Sequence, residues 1–164
     1  MIPQIEPWID DEELKEITEV IKSTWVTEAS KTKKFEEMFK ELARVKYART
    51  FCNGTVTLFT AMKVLGIKKG DEVIVPNLTF IASVNSIIFS GAKPVLVDID
   101  KKTFNIDPEK IEEKITKKTK AIMPVHLYGQ SCDMDKIMEI AKKHNLYVIE
   151  DAAQGIGVKY NDKH

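Results

Sequence analysis

Apolar residues in the first part of the chain recur at helical spacing. One helical face follows the acidic cap 10–13 and is made by Leu14, Ile17, Val20 and Ile21. A second stripe has the i, i+3, i+4, i+7 spacing and consists of Phe35, Met38, Phe39 and Leu42. The pattern predicts two amphipathic helices, and we treat residues 1–45 as an amino-terminal helical segment.

From Tyr47 onward, short β-branched and aromatic runs alternate with amphipathic segments. We predict four strands here, at about 47–52, 73–76, 121–125 and 147–149. Between them we predict four helices, at about Thr55–Leu65, Phe80–Ser90, Pro108–Ile115 and Met134–His144. Strands that alternate with helices form parallel sheets with helical crossovers. Residues 46–164 are therefore predicted to form an α/β domain, a doubly wound, mainly parallel sheet with helices on both faces.

Local signals mark the ends of these helices. Gly66 and Gly91 stop two of them, and Asn145 can take the left-handed conformation that stops the last. The pair Asp107-Pro108 starts the third helix, with Asp107 as its cap and Pro108 in the first helical position.

The pair Asn53-Gly54 has two interpretations. It is a strong signal for a two-residue hairpin, after which Thr55-Val56-Thr57 could continue as a strand. A helix is favoured because apolar residues recur at three-residue spacing after the pair, at Val56, Phe59 and Met62.

Charge and composition narrow the class of ligand. The 164 residues contain 25 Lys and Arg and 25 Asp and Glu, so the chain lacks the large positive field that nucleic-acid or anionic-membrane binding needs. A small-molecule substrate is expected. Cys52 and Cys132 have no metal-ligand spacing, and we expect no metal site. A Cys-poor chain without a signal peptide or an 18-residue apolar run is typical of a cytoplasmic protein.

Polar clusters stand where the predicted strands end. They are Asn53-Gly54-Thr55, Asn77-Leu78-Thr79-Phe80, His126-Leu127-Tyr128-Gly129 and Glu150-Asp151-Ala152-Ala153-Gln154. The carboxyl ends of parallel strands meet at one edge of a sheet, so we expect four strand ends to converge on one ligand-binding crevice.

Each cluster has a structural and a functional interpretation. Gly54 and Thr55 at a helix start suit a phosphate, although Thr55 could be an ordinary cap. Asp151 could pair with a cationic ring nitrogen or simply cap the following turn. Phe80 could stack on a flat ring or belong to the core, and His126 could be a catalyst or a satisfied core histidine.

Four segments together resemble a known family. Asn53-Gly54-Thr55, residues 70–76 with Thr79-Phe80, residues 124–130, and residues 150–154 are similar to the nucleotide-sugar aminotransferases of the DegT family, which use pyridoxal phosphate and have fold type I. The stretch 125–130 is most similar to GDP-perosamine synthases. The resemblance spans nearly the whole chain and keeps the order and spacing of the family's motifs.

The resemblance implies a role for each candidate residue. Gly54 and Thr55 would hold the cofactor phosphate, Phe80 would stack on the pyridine ring, and Gln154 would contact the phenolic oxygen. Asp151 would be the catalytic partner of the ring nitrogen. The substrate-binding residues implied are Trp25, Thr27, His126 and Tyr128. The segment 25–27 resembles the family's substrate loop, but Glu28-Ala29 replaces a turn that contains glycine in many members.

The resemblance also implies an activity. Members transfer an amino group from glutamate to a nucleotide-linked 4-keto-6-deoxy sugar, for cell-surface polysaccharide or other glycans, and work as homodimers or larger homo-oligomers. Their Schiff-base lysine lies well beyond the Asp-Ala-Ala-Gln motif, and no lysine of this chain matches it. We therefore expect this chain to correspond to the amino-terminal part of the large domain and to be inactive alone.

Two alternatives stay open. A sugar dehydratase of the same family carries histidine in place of that lysine. The chain could also be a non-catalytic remnant or interaction module that keeps the scaffold. A dinucleotide-binding oxidoreductase is less favoured, because no G-x-G-x-x-G sequence follows any predicted strand.

Overall fold

A computed structural model describes residues 6–27 and 29–162. The α-helices are α1 (Asp11–Ser23), α2 (Ser30–Ala43), α3 (Gly54–Val64), α4 (Ala82–Ser90) and α5 (Met134–His144). The strands are β1 (Glu72–Pro76), β2 (Lys93–Val97), β3 (Thr119–Ile122) and β4 (Tyr147–Val148). Three 3₁₀ turns complete the secondary structure, at Pro108–Lys110, Glu112–Lys114 and Leu127–Gly129.

The four strands form one parallel sheet in the order β2-β1-β3-β4. In the centre, Ile74 of β1 pairs with Val95 of β2 and with Ile122 of β3. All five residues of β1 are buried, as expected of a parallel strand covered on both faces.

Two apolar clusters cover the two faces of the sheet. Val73 and Val75 of β1 belong to the cluster that includes Leu58 and Met62 of α3 and Ile87 of α4. The intervening Ile74 belongs to the other cluster, together with residues of β3, α5 and the 3₁₀ connection, among them Ile122, Ile137, Ala141 and Ile111. The period-2 alternation of a strand therefore divides the core, and the prediction of a doubly wound α/β sheet is confirmed.

The expected first strand, 47–52, is wrong. These residues form no strand, and Tyr47 is 74% exposed. The carboxylate of Glu36 on α2 instead accepts hydrogen bonds from the backbone N–H of Thr50 at 2.9 Å and from its hydroxyl at 3.0 Å, and pairs with Arg49 at 3.1 Å. These bonds hold the pKa of Glu36 below its usual value. A β-type run becomes a strand only when another strand lies beside its backbone, and here a side chain takes that place.

The expected helix at 108–115 is also wrong. Asp107 caps as predicted, by accepting from the backbone N–H of Glu109 at 3.1 Å. The chain then makes two 3₁₀ turns, with the fully buried Ile111 between them. Short 3₁₀ turns commonly serve as connectors, and this crossover must anchor Ile111 and reach β3 within a few residues.

Other boundaries agree with the sequence. Asn53 caps α3, so the hairpin alternative is wrong and the helix is confirmed. Gly66, Gly91 and Asn145 have positive φ angles after α3, α4 and α5. Both amino-terminal helices form, and α1 begins with a capping box between Asp10 and Glu13. Every helix in residues 6–27 and 29–162 is too short or too polar to cross a lipid bilayer.

Candidate functional site

A pocket of about 270 Å³ lies at the carboxyl ends of β1, β3 and β4, beside the start of α3. Neighbouring strands β1 and β3 lead into connections that run to opposite edges of the sheet, which makes this the switch point where α/β proteins bind ligands. Its walls are formed by Asn53, Gly54, Thr55, Leu58, Thr79, Phe80, Ala82, Val125, Leu127, Asp151, Ala153 and Gln154. Three strand ends and one helix start therefore converge, where the sequence predicted four strand ends.

The start of α3 forms one wall. Asn53 has extended backbone, and its side-chain oxygen accepts from the N–H of Val56 at 3.0 Å. The first turn of a helix leaves its N–H groups without intrahelical acceptors, so those of Gly54 and Thr55 remain available to a ligand. A Cβ at Gly54 would meet no heavy atom within 4 Å, so the space beside it is open. This wall suits an anion, because the helix dipole adds positive charge to the free N–H groups.

Asp151 also lines the pocket and is only 7% exposed. Its backbone N–H donates to Pro124 O at 2.9 Å, and its carbonyl oxygen accepts from the N–H of His126 at 3.1 Å. The two chain segments therefore stay paired past the ends of β3 and β4. The carboxylate accepts from the hydroxyl of Ser83 at 2.6 Å and from the N–H of Ala153 at 3.2 Å. A buried carboxylate held in this way presents a fixed acceptor to the pocket.

Phe80 and Gln154 lie at the edge of the pocket. The ring of Phe80 is 70% exposed although it follows a buried strand, so it is not a core residue. The side-chain oxygen of Gln154 accepts from the backbone N–H of Tyr128 at 2.8 Å. Because the oxygen is engaged, the amide NH₂ is the group that Gln154 can offer to a ligand. All five residues expected to contact the cofactor therefore line one pocket.

His126 lies elsewhere. Its ring is buried, and its Nδ1 accepts a hydrogen bond from the N–H of Cys132 at 3.1 Å. The other ring nitrogen, Nε2, lies 3.0 Å from a carboxylate oxygen of Glu150. The bond from Cys132 places the proton on Nε2, which donates to Glu150. The ring faces a second groove, whose other walls include Met134, Met138 and Tyr160. This arrangement matches the structural interpretation of His126.

The other expected substrate contacts are also outside the pocket. Trp25 and Thr27 line a groove of about 460 Å³ at the connection between α1 and α2. Tyr128 has a φ of 55° and a mostly exposed ring, and its backbone rather than its ring contacts Gln154. Glu28-Ala29 replaces a turn that contains glycine in many family members. Of these two residues, Glu28 lies outside the described residues.

Ser83 was missed by the sequence analysis. It is fully buried in the first turns of α4, and its hydroxyl makes a hydrogen bond to the carboxylate of Asp151. It makes a second hydrogen bond with the hydroxyl of Thr79, at 2.8 Å between the two oxygens. A signal was present, since Ser83 follows Thr79 by four residues at the start of an apolar helix. The contact with Asp151 could not be predicted from that spacing, because Asp151 is 68 residues away in the chain.

Comparison with known proteins gives one family. The model of the DegT/DnrJ/EryC1/StrS aminotransferase family matches residues 7–164. GDP-perosamine synthase from Escherichia coli O157:H7 is 50% identical over an alignment of 164 positions, which covers 99% of this chain and 45% of that protein. The dTDP-3-amino-3,6-dideoxy-alpha-D-galactopyranose transaminase of Aneurinibacillus thermoaerophilus is 52% identical over 144 residues, 88% of this chain and 40% of that protein. The chain thus spans less than half the length of these relatives.

Solved structures show the same likeness. An aminotransferase from Psychrobacter cryohalolentis superposes with a TM-score of 0.91 at 46% identity, covering 94% of this chain and 40% of that one. NtdA from Bacillus subtilis, solved with bound cofactor PMP, superposes with a TM-score of 0.87 at 41% identity. The superposition covers 92% of this chain and 36% of that one. A GDP-4-keto-6-deoxymannose-3-dehydratase superposes with a TM-score of 0.91 at 31% identity. The superposition covers 99% of this chain and 44% of that one.

Proposed function

The chain belongs to the DegT/DnrJ/EryC1/StrS aminotransferase family, and from this membership we propose that its pocket binds pyridoxal 5'-phosphate for amino transfer to a nucleotide-linked sugar. The observation that carries the proposal is that a buried carboxylate, an exposed aromatic ring and an uncovered helix start line the same pocket. Those are the three groups that a cationic pyridine ring with a phosphate arm requires.

The residues fit the cofactor one by one. The N–H groups of Gly54 and Thr55, with the Thr55 hydroxyl, would hold the phosphate at the start of α3. Phe80 would cover one face of the ring, and Asp151 would keep the ring nitrogen protonated. The NH₂ group of Gln154 would donate to the phenolic oxygen, because its own oxygen is engaged by Tyr128. When bound, the cofactor would supply the electron sink for the carbon that carries the amino group.

The substrates follow from the relatives' names. GDP-perosamine synthase and the dTDP-aminosugar transaminase both make amino sugars on a nucleotide carrier, at 50% and 52% identity. We propose a nucleotide-linked 4-keto-6-deoxy sugar as acceptor and glutamate as donor, in the biosynthesis of a polysaccharide or other glycan. The alternative is dehydration of such a sugar, as named for the neighbour at 31% identity. The higher identity of the aminating enzymes favours amino transfer.

Pyridoxamine phosphate tests the pocket directly. It has no aldehyde and cannot label surface lysines, so its binding reports the pocket alone. We expect the chain to bind pyridoxamine phosphate more tightly than unphosphorylated pyridoxamine. Thr55→Ala should reduce that preference, because it removes the hydroxyl but leaves the backbone N–H groups in place. Thr57→Ala is the control, because its hydroxyl donates to Asn53 O and it is not among the residues that line the pocket. Equal binding of the two compounds by the unaltered chain would overturn the proposal.

The reaction class is tested with ¹⁵N-glutamate and a nucleotide-linked 4-keto-6-deoxy sugar. A protein that contains this chain and has the full length of its relatives should place ¹⁵N on the sugar. Loss of a sugar hydroxyl without ¹⁵N would support the dehydratase. The 164-residue chain alone should bind without turnover. In the full-length protein, Asp151→Asn should lower kcat by several orders of magnitude while cofactor affinity changes little.

A further inference from the structure

We propose that Ser83 is a positioning residue that fixes the carboxylate of Asp151, as the middle member of a hydrogen-bond chain from Thr79 through Ser83 to Asp151. The significance for catalysis rests on the proposed function, in which Asp151 faces the cofactor ring nitrogen. The contact between Ser83 and Asp151 stands on the geometry alone.

Donors and acceptors set the direction of this chain. An ionised Asp151 has no proton to give, so the 2.6 Å contact requires the Ser83 hydroxyl to donate. That hydroxyl has one proton, and its other acceptor, Phe80 O, is farther away at 3.3 Å. With the proton of Ser83 directed to Asp151, the Thr79 hydroxyl is the donor in the 2.8 Å contact between Thr79 and Ser83. Each bond in the chain therefore polarises the next and strengthens the one to the carboxylate.

Burial makes Ser83 hard to replace. Its side chain is fully buried behind the pocket, whereas Thr79 and Asp151 both line the pocket wall. Without the Ser83 hydroxyl, the one remaining donor to the carboxylate among the described residues is the N–H of Ala153 at 3.2 Å, which bonds the other oxygen. The carboxylate would then be free to rotate, and one of its oxygens would lose its protein donor.

The same residue also connects Asp151 to the aromatic wall. The backbone N–H of Ser83 donates to Phe80 O at 3.2 Å, so Ser83 closes the turn that carries the exposed ring. Ser83 thus joins the loop after β1 to the loop after β4. This contact would therefore help to set the spacing between a stacking ring and an ion-pairing carboxylate.

A double-mutant cycle in the unliganded chain tests the contact. The unfolding equilibrium is measured for Ser83→Ala, Asp151→Asn and the double variant. A hydrogen bond to a buried charge should give a coupling of roughly tenfold or more in the equilibrium constant. Ser86→Ala is the matched control, because Ser86 is equally buried on α4 but donates to its own helix, at Ser83 O. Additive effects in the Ser83 cycle would overturn the proposal.

A spectroscopic readout tests the consequence. The ring-nitrogen ¹⁵N shift of labelled pyridoxamine phosphate reports whether the bound ring is protonated. With the unaltered chain and with Ser86→Ala we expect a protonated ring at neutral pH, and with Ser83→Ala a larger neutral fraction. An unchanged shift in Ser83→Ala would overturn positioning. If Ser83→Ala does not fold, Thr79→Val removes the donor to Ser83 and should move the shift in the same direction by less.

The two proposals fail separately. If the unaltered chain does not bind pyridoxamine phosphate, the proposed cofactor pocket is wrong, and the mutant cycle still decides whether Ser83 holds Asp151. If pyridoxamine phosphate binds and the cycle is additive, the pocket stands and Ser83 has no positioning role.

Discussion

The side-chain oxygen of Gln154 accepts a hydrogen bond from the backbone N–H of Tyr128 at 2.8 Å. Gln154→Glu keeps an acceptor for that bond but replaces the NH₂ donor with negative charge. We expect its stability to stay close to that of the unaltered chain while the affinity for pyridoxamine phosphate falls about tenfold or more, as the loss of a hydrogen bond to a charged group predicts. Gln154→Ala should lower both the stability of the chain and its affinity for pyridoxamine phosphate. Calorimetric binding and urea unfolding measure the two effects, and equal binding by Gln154→Glu would contradict the assigned orientation.

The cap of α3 should be separable from ligand binding. Asn53→Ala removes the acceptor for the N–H of Val56 and should cost about 1 kcal/mol of unfolding free energy. Asn53→Asp keeps an acceptor, so stability should hold, but its charge lies beside the proposed phosphate position and should weaken pyridoxamine phosphate binding. Asp133→Ala removes the cap of α5, outside the pocket, and should lower stability alone. Tighter binding by Asn53→Asp would show that the phosphate lies elsewhere.

Gly155 lies against His126. A Cβ at residue 155 would be 2.9 Å from the Cβ of His126, closer than carbon atoms approach without displacement. Gly155→Ala should therefore cost roughly 1–3 kcal/mol and shift the His126 ring resonances. Gly54→Ala is the control for the glycine change, because no heavy atom lies within 4 Å of its Cβ, and its unfolding free energy should change little. If the two variants unfold at the same urea concentration, the packing of His126 on residue 155 is not as described.

Glu72 should make stability depend on pH. The hydroxyl of Thr116 donates to its buried carboxylate at 2.6 Å, and this bond, with a weaker contribution from Lys93, lowers the pKa of Glu72 from its ordinary value of 4.5. Since the pKa of Glu72 is lower in the folded state, ionised Glu72 stabilises the folded chain fully above about pH 4.5. This stabilisation is lost as pH falls through the folded-state pKa.

Thr116→Val tests this assignment. It should destabilise the chain at pH 7 and flatten the fall in stability below about pH 4.5, because the folded-state and unfolded-state pKa values then approach each other. Thr116→Ser, which keeps a hydroxyl donor for Glu72, is the control. Urea unfolding across the acid range gives the slopes, and parallel curves for Thr116→Val and the unaltered chain would contradict the assignment.

The amino-terminal helices should cause self-association. Residues of the predicted apolar stripes are about half exposed or more, among them Leu14, Ile17 and Ile21 on α1 and Phe35, Met38 and Leu42 on α2. Exposed apolar surface of this kind seeks a partner, and we propose that the chain forms a homodimer or larger homo-oligomer. Sedimentation velocity should show concentration-dependent association. Met38→Glu should weaken it, and Lys33→Gln, on the polar side of α2, should not. A monomer at all concentrations would exclude this surface as an interface.

Local patterns were enough to predict much of the architecture. Helix α5 occupies Met134–His144 as its apolar period indicated, and α3 begins where Asn53 can cap it. The alternation of strands and helices predicted the parallel, doubly wound sheet. The helix boundaries depend on interactions within a few residues of one another, and the spacing of side chains along the chain records such interactions directly.

The position of the pocket was also predictable, because the polar clusters after β1, β3 and β4 must meet at one edge of a parallel sheet. Which side chains enter the pocket was decided only by the tertiary structure. His126 and Leu127 are neighbours in one cluster, yet Leu127 lines the pocket and the ring of His126 turns to Glu150 and Cys132.

Long-range contacts decided the remaining differences. Residues 47–52 have the composition of a strand, but the carboxylate of Glu36 holds their backbone. Asp151 was a candidate from its position alone, whereas its bond to Ser83 joins residues 68 apart. The chain itself therefore determined which segments became α3, α5, β1, β3 and β4 and where the polar ends of these three strands meet. Only the folded structure determined which partner each buried polar group found, because that depends on segments that packing brings together from distant parts of the chain.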